Sequence, residues 1–461
     1  MTQKEADRII KRLQDTFSIP SLSAAFYVDG RILTCASGCD ENTLFAIGSC
    51  TKSFTAGTLL ALQDRGLISV DNPAADRISG FALSVPEAAR LLTVRDILSH
   101  STGFPGCDLA WYSHHDSFTR EDLKKAISLL PMTAKPGERH QYNNMIFSLS
   151  GEIIEAVSGM SWSDAVRAYL MQPLEIEAAA FSPQEAMRFG SVAVPYIQSD
   201  GGCTKVPHAS LGAVSPAGGL YMTAGELLKW DMAILHEGNY RGRQVLSASS
   251  ATELISPVIP DSCNDMPPEA AAALHSRGYA LGMQSEIFRG EKLLFHGGSI
   301  DGFLANQCIL PGRSCAAVLL TNLGGTFARE AFQYAFSGLM LGDSTDWIEI
   351  FGRRYRLLKE NNIQSGRSLA PEDLINPEIL SGRYINPLFG ELVIFSESGS
   401  CLARIGSLTL SVKLKKDNFS LFHPEFGDLE AEINYGSAGS VSSLMIAAEP
   451  SVTERFEFKK L

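Results

Sequence analysis

The sequence predicts an α+β fold in which helices flank one antiparallel sheet beside a helical lobe, with a small β-barrel at the C-terminus. Three observations predict it. A hairpin pattern near residue 29 and several apolar strands after residue 279 lie far apart in the chain. Between them, from Ser49 to about residue 250, the hydrophobic spacing is mostly helical. Beyond residue 371, short alternating strands follow one another closely.

The first element is an amphipathic helix. Five apolar residues recur at helical spacing within a segment that is otherwise charged, which argues against a signal peptide; they are Ala6, Ile9, Ile10, Leu13 and Phe17. Next, "LSAAFYVDGRILTCASG" reads as two strands around Asp29-Gly30, a pair that favours a tight hairpin. We expect this hairpin to join the late strands in one sheet.

The late strands are predicted in "YALGMQSEIF", "KLLFHGG", "GFLANQCIL" and "CAAVLLTNLGG". A helix at about 326–341 follows them, and a charged helix begins near residue 345. Residues 361–373, "NNIQSGRSLAPED", are polar and rich in turn formers, which indicates a linker. The predicted organisation is therefore a catalytic domain over 1–345, a helix and linker over 346–370, and a barrel domain over 371–461.

Composition excludes several classes of function. Of 461 residues, 45% are hydrophobic and 20% are charged, which is ordinary for a globular protein with a large core. The net charge of −12 argues against nucleic acid or an anionic membrane as partner. No apolar run reaches the ~18–20 residues of a membrane span. The nine cysteines form no Cys-x-x-Cys pair, which argues against a disulfide framework or zinc site and, without an export signal, predicts a cytoplasmic protein.

The strongest chemical motif is Ser49-Cys50-Thr51-Lys52, the only Ser-x-x-Lys in the chain. Positions i and i+3 share one face of a helix, so the hydroxyl and the amine can meet without help from distant residues. A helix start also offers free N–H groups for the anion formed when Ser49 attacks a carbonyl. Burial could lower the pKa of Lys52 enough to make it a base. The alternative is an N-cap serine beside a surface lysine.

A second motif, Tyr142-Asn143-Asn144, stands just before a helical pattern. Beside a cationic lysine, Tyr142 could exist partly as phenolate and act as a base. Asn144 could hold the Lys52 amine or a substrate amide. The alternative is that Asn144 caps the helix and Tyr142 belongs to the core.

A third motif, His296-Gly297-Gly298-Ser299, ends one of the late strands. Glycines in a strand permit close approach of another backbone, which suits a substrate docked along the sheet edge with the Ser299 N–H as an oxyanion donor. The alternative is a turn between strands. A second His-x-Gly at His236–Gly238 follows a helix and is interpreted as a helix stop.

Other chemical signatures are weak or absent from the sequence. "HHD" at residues 114–116 has no accompanying ligand set and is interpreted as a loop. The chain lacks the Gly-x-Ser-x-Gly of α/β-hydrolases and the Gly-rich phosphate loop of nucleotide-binding proteins.

Taken in order, the three motifs resemble those of the serine β-lactamase and penicillin-binding-protein superfamily. The nearest branch is that of class C β-lactamases, D-aminopeptidases and related esterases. "LTVRDILSHSTGFPG", "SPAGGLYMTAGELLKW" and "RGYALGMQ" are similar to the family as well, so the resemblance covers about residues 20–325. The C-terminal segment, with "LSGRYINPLFGELVIF", resembles the lipocalin-like barrel of some D-aminopeptidases and peptide-cyclising relatives.

The resemblance implies roles for the motif residues. Ser49 is implied as nucleophile, Lys52 and Tyr142 as proton-transfer residues, and Asn144 as a contact of substrate and Lys52. Substrate contacts are also implied for His296, Gly298 and Ser299; the Ser49 and Ser299 N–H groups would form the oxyanion hole.

The function expected is a serine hydrolase that cleaves small amides, D-aminoacyl peptides or esters through an acyl-enzyme. No cofactor or metal is expected, and the partner is a small molecule or short peptide. The sequence leaves the oligomeric state open, a homodimer included. Alternatives are an acyltransferase or peptide cyclase, a β-lactamase or DD-carboxypeptidase, and a non-catalytic binding protein of the same fold.

Substrate choice is expected to follow from His296. Relatives that bind penicillins generally carry lysine in the third motif, whose charge attracts the substrate carboxylate. Histidine is mostly neutral at pH 7 and anchors a carboxylate weakly. The sequence therefore predicts poor β-lactamase and carboxypeptidase activity.

Overall fold

The structure, a computed structural model, describes residues 1–114, 117–199, 202–262, 266–365, 375–397, 399–423, 426–436, 440–449 and 455–461. It has the predicted α+β architecture: an antiparallel sheet with helices on both faces and a closed eight-stranded barrel at the C-terminus. In chain order, the strands before the barrel are β1 (Leu22–Val28), β2 (Arg31–Ser37), β3 (Phe45–Ala46), β4 (Ala179–Ala180), β5 (Tyr196–Ser199), β6 (Gly202–Lys205), β7 (Tyr221–Met222), β8 (Asn239–Tyr240), β9 (Arg243–Gln244), β10 (Ile259–Pro260), β11 (Leu274–Tyr279), β12 (Gln284–Phe288), β13 (Glu291–Ile300), β14 (Phe303–Leu310) and β15 (Cys315–Thr321).

The main sheet has the order β10-β11-β12-β13-β14-β15-β1-β2, with every neighbour antiparallel. The early hairpin therefore pairs with the last strand, as predicted. Asp29 and Gly30 both have positive φ, 53° and 72°, which is the geometry of a two-residue hairpin turn. The predicted strand at 279–288 is divided, because Ala280–Met283 turn between β11 and β12.

Helices cover both faces of the sheet. Those before the barrel are α1 (Gln3–Phe17), α2 (Thr51–Gln63), α3 (Pro86–Leu91), α4 (Val94–Leu98), α5 (Asp108–Tyr112), α6 (Arg120–Ser128), α7 (Asn144–Ser158), α8 (Trp162–Val166, continued by a π turn over Arg167–Met171), α9 (Pro183–Ala186), α10 (Ser215–Gly218), α11 (Ala224–Leu235), α12 (Ala248–Leu254), α13 (Pro268–Ala273), α14 (Ala328–Leu341) and α15 (Trp347–Ser365). α1, α14 and α15 share one core with the outer face, whereas α2, α7 and α11 belong to the core on the other face.

The N-terminal helix confirms the predicted amphipathic pattern. Ala6, Ile10, Leu13 and Phe17 are buried, and Thr2 caps the helix in a reciprocal pair with Glu5. At the other end of this domain, α15 continues to Ser365, into the segment predicted as linker. Residues 366–373 of that segment lie outside the described residues.

The barrel closes in sequential order. After α16 (Pro377–Leu380), its strands are β16 (Gly382–Asn386), β17 (Gly390–Glu397), β18 (Ser400–Ile405), β19 (Leu408–Leu414), β20 (Phe419–His423), β21 (Gly427–Tyr435), β22 (Val441–Ile446) and β23 (Phe456–Lys460). In β19, buried and exposed residues alternate, the period-2 pattern that fills a barrel interior.

The barrel packs against α5 near the centre of the molecule. Ser407 donates its backbone N–H to the Ser113 carbonyl at 2.7 Å, and Phe426 meets the Tyr112 ring edge-on with 5.1 Å between centroids. A Cβ at Gly406 would lie 2.1 Å from the Ser113 oxygen, so this contact requires glycine. Sequence patterns within the barrel contain no sign of this docking.

Within the described ranges, no helix has the length and apolarity needed to cross a bilayer.

Candidate active site

Ser49 lies in a single 3-10 turn, Gly48–Cys50, that leads directly into α2. α2 is buried on all sides from Thr51 to Leu62, because its sequence "TKSFTAGTLLAL" is apolar or small all round. Lys52 in its first turn is consequently 0% exposed. The alternative of a surface lysine is therefore wrong, and Ser49 has no side-chain capping bond.

The Ser49 hydroxyl has two close partners of different chemistry. Lys52 Nζ lies 3.0 Å from Ser49 Oγ, and the Tyr142 hydroxyl donates to the same oxygen at 2.7 Å. Ser49 keeps part of its surface exposed to a cleft. The three side chains thus form a nucleophile with two groups able to exchange its proton.

Lys52 has two further hydrogen-bond partners, both of them acceptors. Asn144 Oδ1 and the Ala217 carbonyl oxygen each accept a hydrogen bond from Nζ at 2.7 Å. A neutral amine has two hydrogens for these two acceptors, and its lone pair then faces Ser49 Oγ. Burial lowers the pKa of Lys52 from 10.5 to about 7, against the opposing effect of the Asp108 charge.

Tyr142 has the opposite shift. Burial raises the pKa of Tyr142 well above its usual value of 10, although its hydrogen bond to Ser49 lowers that pKa in part. The expectation of a partial phenolate rested on a cationic neighbour, and Lys52 is itself only about half charged at neutral pH. Tyr142 is therefore protonated and donates to Ser49, and the neutral half of the Lys52 population is able to accept the Ser49 proton.

The two adjacent asparagines of the second motif have different roles. Asn143 is the N-cap of α7 and accepts from the Ile146 N–H, so Asn144 is free of the capping role. Asn144 instead joins Lys52 to Asp108, since its Nδ2 donates to the Asp108 carboxylate at 2.9 and 3.1 Å. Trp111 Nε1 donates to the same carboxylate at 2.8 Å.

The third motif places a strand edge beside Ser49. β12 begins at Gln284, opposite Phe295, so on that side β13 from His296 onward has no strand partner among the described residues. A Cβ at Gly298 would lie 2.0 Å from the Ile47 oxygen, and one at Gly48 would lie 2.8 Å from Ser299 N. Glycine at both positions therefore permits the two backbones to approach closely, which places the Ser49 turn beside Ser299.

His296 is held inside the protein. It is 3% exposed; its Nδ1 lies 2.7 Å from the Gly297 carbonyl oxygen and its Nε2 lies 2.8 Å from the Tyr279 hydroxyl. Because a carbonyl only accepts, Nδ1 carries the hydrogen and Nε2 accepts from Tyr279. Burial lowers the pKa of His296 from 6.5 to about 3, so the ring is neutral at physiological pH. A direct substrate contact by this side chain stays a prediction.

The cleft at Ser49 has two parts, which we name the aromatic half and the arginine half. The aromatic half, of about 690 Å³, contains Trp111, Tyr112, Leu211, Ile300 and the barrel residue Phe426. The arginine half, of about 1570 Å³, contains Tyr142, Arg277, Arg329 and Arg354. Ser49, Asp108, Asn144 and Ser299 line both halves, so a substrate bound at Ser49 extends into two chemically different environments.

The sequence patterns did not single out Asp108, Tyr279, the Ala217 carbonyl or the arginines. Asp108 is 36 positions before Asn144, and its place in the site follows from their contact and from its position in the cleft wall. Tyr279 falls within "RGYALGMQ", a stretch already notable for family resemblance, which was the one available signal. The Ala217 carbonyl and the arginines are brought to the site by the packing of elements that are distant in sequence.

Two minor motifs lie elsewhere. His236 is the C-cap of α11, and Gly238, with φ 83°, follows it as the predicted helix stop. His114 Nδ1 donates to the Ala110 carbonyl oxygen at 3.1 Å and lies 2.9 Å from the Ser113 hydroxyl oxygen, and His115 and Asp116 lie outside the described residues. In the part of the chain that the structure describes, no group of three or more His, Cys, Asp or Glu side chains has a metal-binding arrangement.

The chain is similar in sequence to several known proteins. The chain is 27% identical to unguisins hydrolase ungD of Aspergillus violaceofuscus (strain CBS 115571) over 333 residues, which is 67% of this chain but only 59% of that protein. It is 27% identical to penicillin-binding protein 4 of Amycolatopsis lactamdurans over 325 residues, 68% of this chain and 83% of that protein.

Among solved structures, the octameric penicillin-binding protein homologue from Pyrococcus abyssi superposes with a TM-score of 0.65, at 22% identity, over the full length of both chains. Its similarity shows that the fold, barrel included, occurs elsewhere. The β-lactamase family model matches residues 6–339, well over half of the chain. The chain therefore belongs to the β-lactamase family.

Proposed function

We propose that this protein is a serine hydrolase that cleaves small amides, D-aminoacyl peptides or esters through an acyl-enzyme on Ser49. The observation that carries the proposal is the position of Ser49 Oγ between Lys52 Nζ at 3.0 Å and the Tyr142 hydroxyl at 2.7 Å. A pKa of about 7 for Lys52 makes roughly half of this residue a base at neutral pH.

In acylation, Ser49 Oγ bonds to the substrate carbonyl carbon while its proton passes to the Lys52 lone pair. The carbonyl oxygen becomes an oxyanion beside the N–H groups of Ser49 and Ser299. The first N–H groups of a helical turn have no intrahelical acceptor, so the Ser49 N–H is available for this purpose. Preorganised donors of this kind are worth about 10²–10³-fold in rate.

Collapse of this intermediate breaks the bond to the leaving group, which takes a proton from Tyr142. The Lys52 ammonium, whose Nζ lies 4.7 Å from the centre of the Tyr142 ring, then returns a proton to the Tyr142 phenolate. Because Tyr142 lines the arginine half and not the aromatic half, we place the leaving group in the arginine half and the acyl group in the aromatic half. Water then attacks the ester by the reverse route and restores Ser49.

A second candidate function is favoured by the arginine half. Arg277 lies 3.2 Å from Asp261 and Arg329 is 2.6 Å from Glu330, whereas Arg354 lies over the Phe327 ring. The three guanidinium groups outnumber the two carboxylates among the described residues that line the same half, Asp108 and Glu330, and the net positive charge suits a leaving group that carries a carboxylate. This feature favours carboxypeptidase-like cleavage, contrary to the expectation drawn from His296 alone.

The experiment is labelling with a fluorophosphonate, followed by mass spectrometry of the intact protein and its peptides. We expect one adduct on Ser49 and none in the Ser49→Ala variant. Hydrolysis of D-alanine p-nitroanilide, a short-chain p-nitrophenyl ester, nitrocefin and a D-Ala-D-Ala peptide would rank the substrate classes. An adduct on another residue would overturn the assignment of Ser49. A tenfold or greater preference for nitrocefin or the D-Ala-D-Ala peptide would favour the second candidate.

A further inference from the structure

The aromatic half of the cleft contains one charged side chain among the described residues that line it, Asp108. Its other walls are apolar or aromatic, with Trp111 and Tyr112 5.5 Å apart and Phe426 5.1 Å from Tyr112. A carboxylate beside several aromatic faces is an environment that stabilises a cation, by ion pairing and by cation–π attraction. An anionic group would be disfavoured there.

Asp108 retains capacity for one more donor. Oδ1 accepts from Trp111 and Asn144, whereas Oδ2 accepts only from Asn144 within the part of the chain that the structure describes. An ionised carboxylate has about four acceptor positions, so Oδ2 has a free lone pair. The side chain is partly exposed and lines the cleft, which makes this position accessible to substrate.

The position of Asp108 suits an α-amine. Ser49 and Asp108 line the same cavity, the aromatic half of the cleft. Asn144 connects the two sides, since its Oδ1 accepts from Lys52 Nζ at 2.7 Å and its Nδ2 donates to Asp108 Oδ2 at 2.9 Å. In an aminoacyl substrate the amine is two bonds from the reacting carbonyl carbon, about 2.5 Å away. An amine so close to the carbon that Ser49 attacks enters this shared cavity, in which the carboxylate lies.

We propose that Asp108 binds the α-ammonium group of the acyl part of the substrate, so that the enzyme selects aminoacyl compounds with a free amine and an apolar side chain. This inference rests on the proposed function and deepens it.

The negative charge of Asp108 opposes the transfer of the Ser49 proton to Lys52, which argues that this charge serves a further purpose. Its negative charge favours the protonated form of Lys52, the form that cannot accept the Ser49 proton. Asparagine at this position would accept from Asn144 and Trp111 without that effect. A carboxylate is therefore better explained by a charged ligand than by support of Asn144 alone.

The test compares matched substrates with and without the amine. Alanine p-nitroanilide, in D and L forms, is compared with propionyl p-nitroanilide, which has the same skeleton without the amine. The amine itself alters carbonyl reactivity, so the readout is the change of the kcat/KM ratio between enzyme variants. We expect Asp108→Asn to lower this ratio by about 10–100-fold, the loss typical of a hydrogen bond to a charged group.

Two matched variants distinguish binding of the substrate amine by Asp108 from a role in supporting Asn144. Asp108→Glu keeps the carboxylate and is expected to retain most of the ratio, whereas Glu121→Gln removes one exposed carboxylate on α6 and should leave it unchanged. A second readout uses the wild-type chain: kcat/KM for alanine p-nitroanilide should fall above about pH 8 as the substrate amine loses its proton, with no such fall for the propionyl compound.

The outcomes are distinct. Equal losses of both activities in Asp108→Asn would overturn the inference and leave Asp108 as support for Asn144. Parallel pH profiles for the two substrates would overturn it as well, even if Asp108→Asn fails to fold. Absence of Ser49-dependent turnover of every substrate, together with no fluorophosphonate adduct, would instead overturn the proposed function.

Discussion

Replacing Lys52 by arginine is the sharpest test of the proton-transfer chemistry, because it retains the positive charge and removes the ability to deprotonate. In the wild-type chain, burial lowers the pKa of Lys52 from 10.5 to about 7. With the ordinary value, only about one lysine in 3,000 would be neutral at pH 7, whereas about half are neutral here. The environment thus increases the population of base about 10³-fold, at a differential free energy of about 5 kcal/mol.

We expect Lys52→Arg to reduce kcat/KM by about 10²–10⁴-fold, the usual contribution of a positioned proton acceptor. The assay is initial-rate hydrolysis of p-nitrophenyl butyrate, which has no titratable group, between pH 5 and 9. For the wild type, kcat/KM should fall tenfold per unit below a midpoint near pH 7. Lys52 is the group assigned to this limb because its pKa is about 7 and its Nζ contacts Ser49 Oγ, whereas burial lowers the pKa of His296 to about 3. Burial also raises the pKa of Glu286 to about 7, but this carboxyl bonds Gln333 and Tyr334 and not Ser49.

Two results would refute this reasoning. A wild-type profile that stays flat from pH 5 to 9 would show that Lys52 is not the titrating base. Retention of kcat/KM within tenfold by Lys52→Arg would show that its role is to supply charge or support. Circular dichroism and thermal unfolding of the variant serve as the control for folding, because a guanidinium is larger than an ammonium.

Three further predictions concern stability and specificity. Lys52→Met should be more stable than wild type at pH 7, because the unfolded wild-type chain binds the Lys52 proton more tightly than the folded chain does. As pH rises from 7 to 9, the difference in free energy of unfolding between variant and wild type, measured in urea, should shrink by about 2 kcal/mol. A difference that stays constant would contradict the low pKa of Lys52 in the folded state. Tyr279→Phe removes the donor to buried His296 Nε2 and should lower the free energy of unfolding by about 1–3 kcal/mol; an unchanged thermal midpoint would show that this hydrogen bond is not made. Phe426→Ala, in the barrel, should lower kcat/KM about tenfold for bulky apolar acyl groups and little for acetyl esters; equal effects on both would show that the barrel does not shape the acyl site.

The sequence by itself determined the local elements of this protein. The hairpin at Asp29-Gly30, the amphipathic helix at the N-terminus and the alternation in the barrel follow from spacing within short segments, which is where periodicity carries information. The same holds for Ser49 and Lys52, whose side chains share one helical face because they are three residues apart. Their 3.0 Å contact therefore needed no knowledge of the rest of the fold.

Tertiary structure decided the protonation of these groups and the shape of the cleft. The pKa of Lys52 depends on complete burial of α2, and the preference of Tyr142 for its protonated form depends on the packing around the site. Asn143, and not Asn144, caps α7. Because both positions are asparagine, the sequence does not show which of the two is the cap.

The remaining site residues could be found only in three dimensions. Asp108 meets Asn144 across 36 positions of sequence, and Phe426 of the barrel reaches Tyr112 across more than 300. Such contacts arise from the packing of separate elements, and the hydrophobic periodicity within one segment does not predict them. The sequence therefore determined which residues can perform the chemistry, whereas packing determined their charge states and the substrate that they can accept.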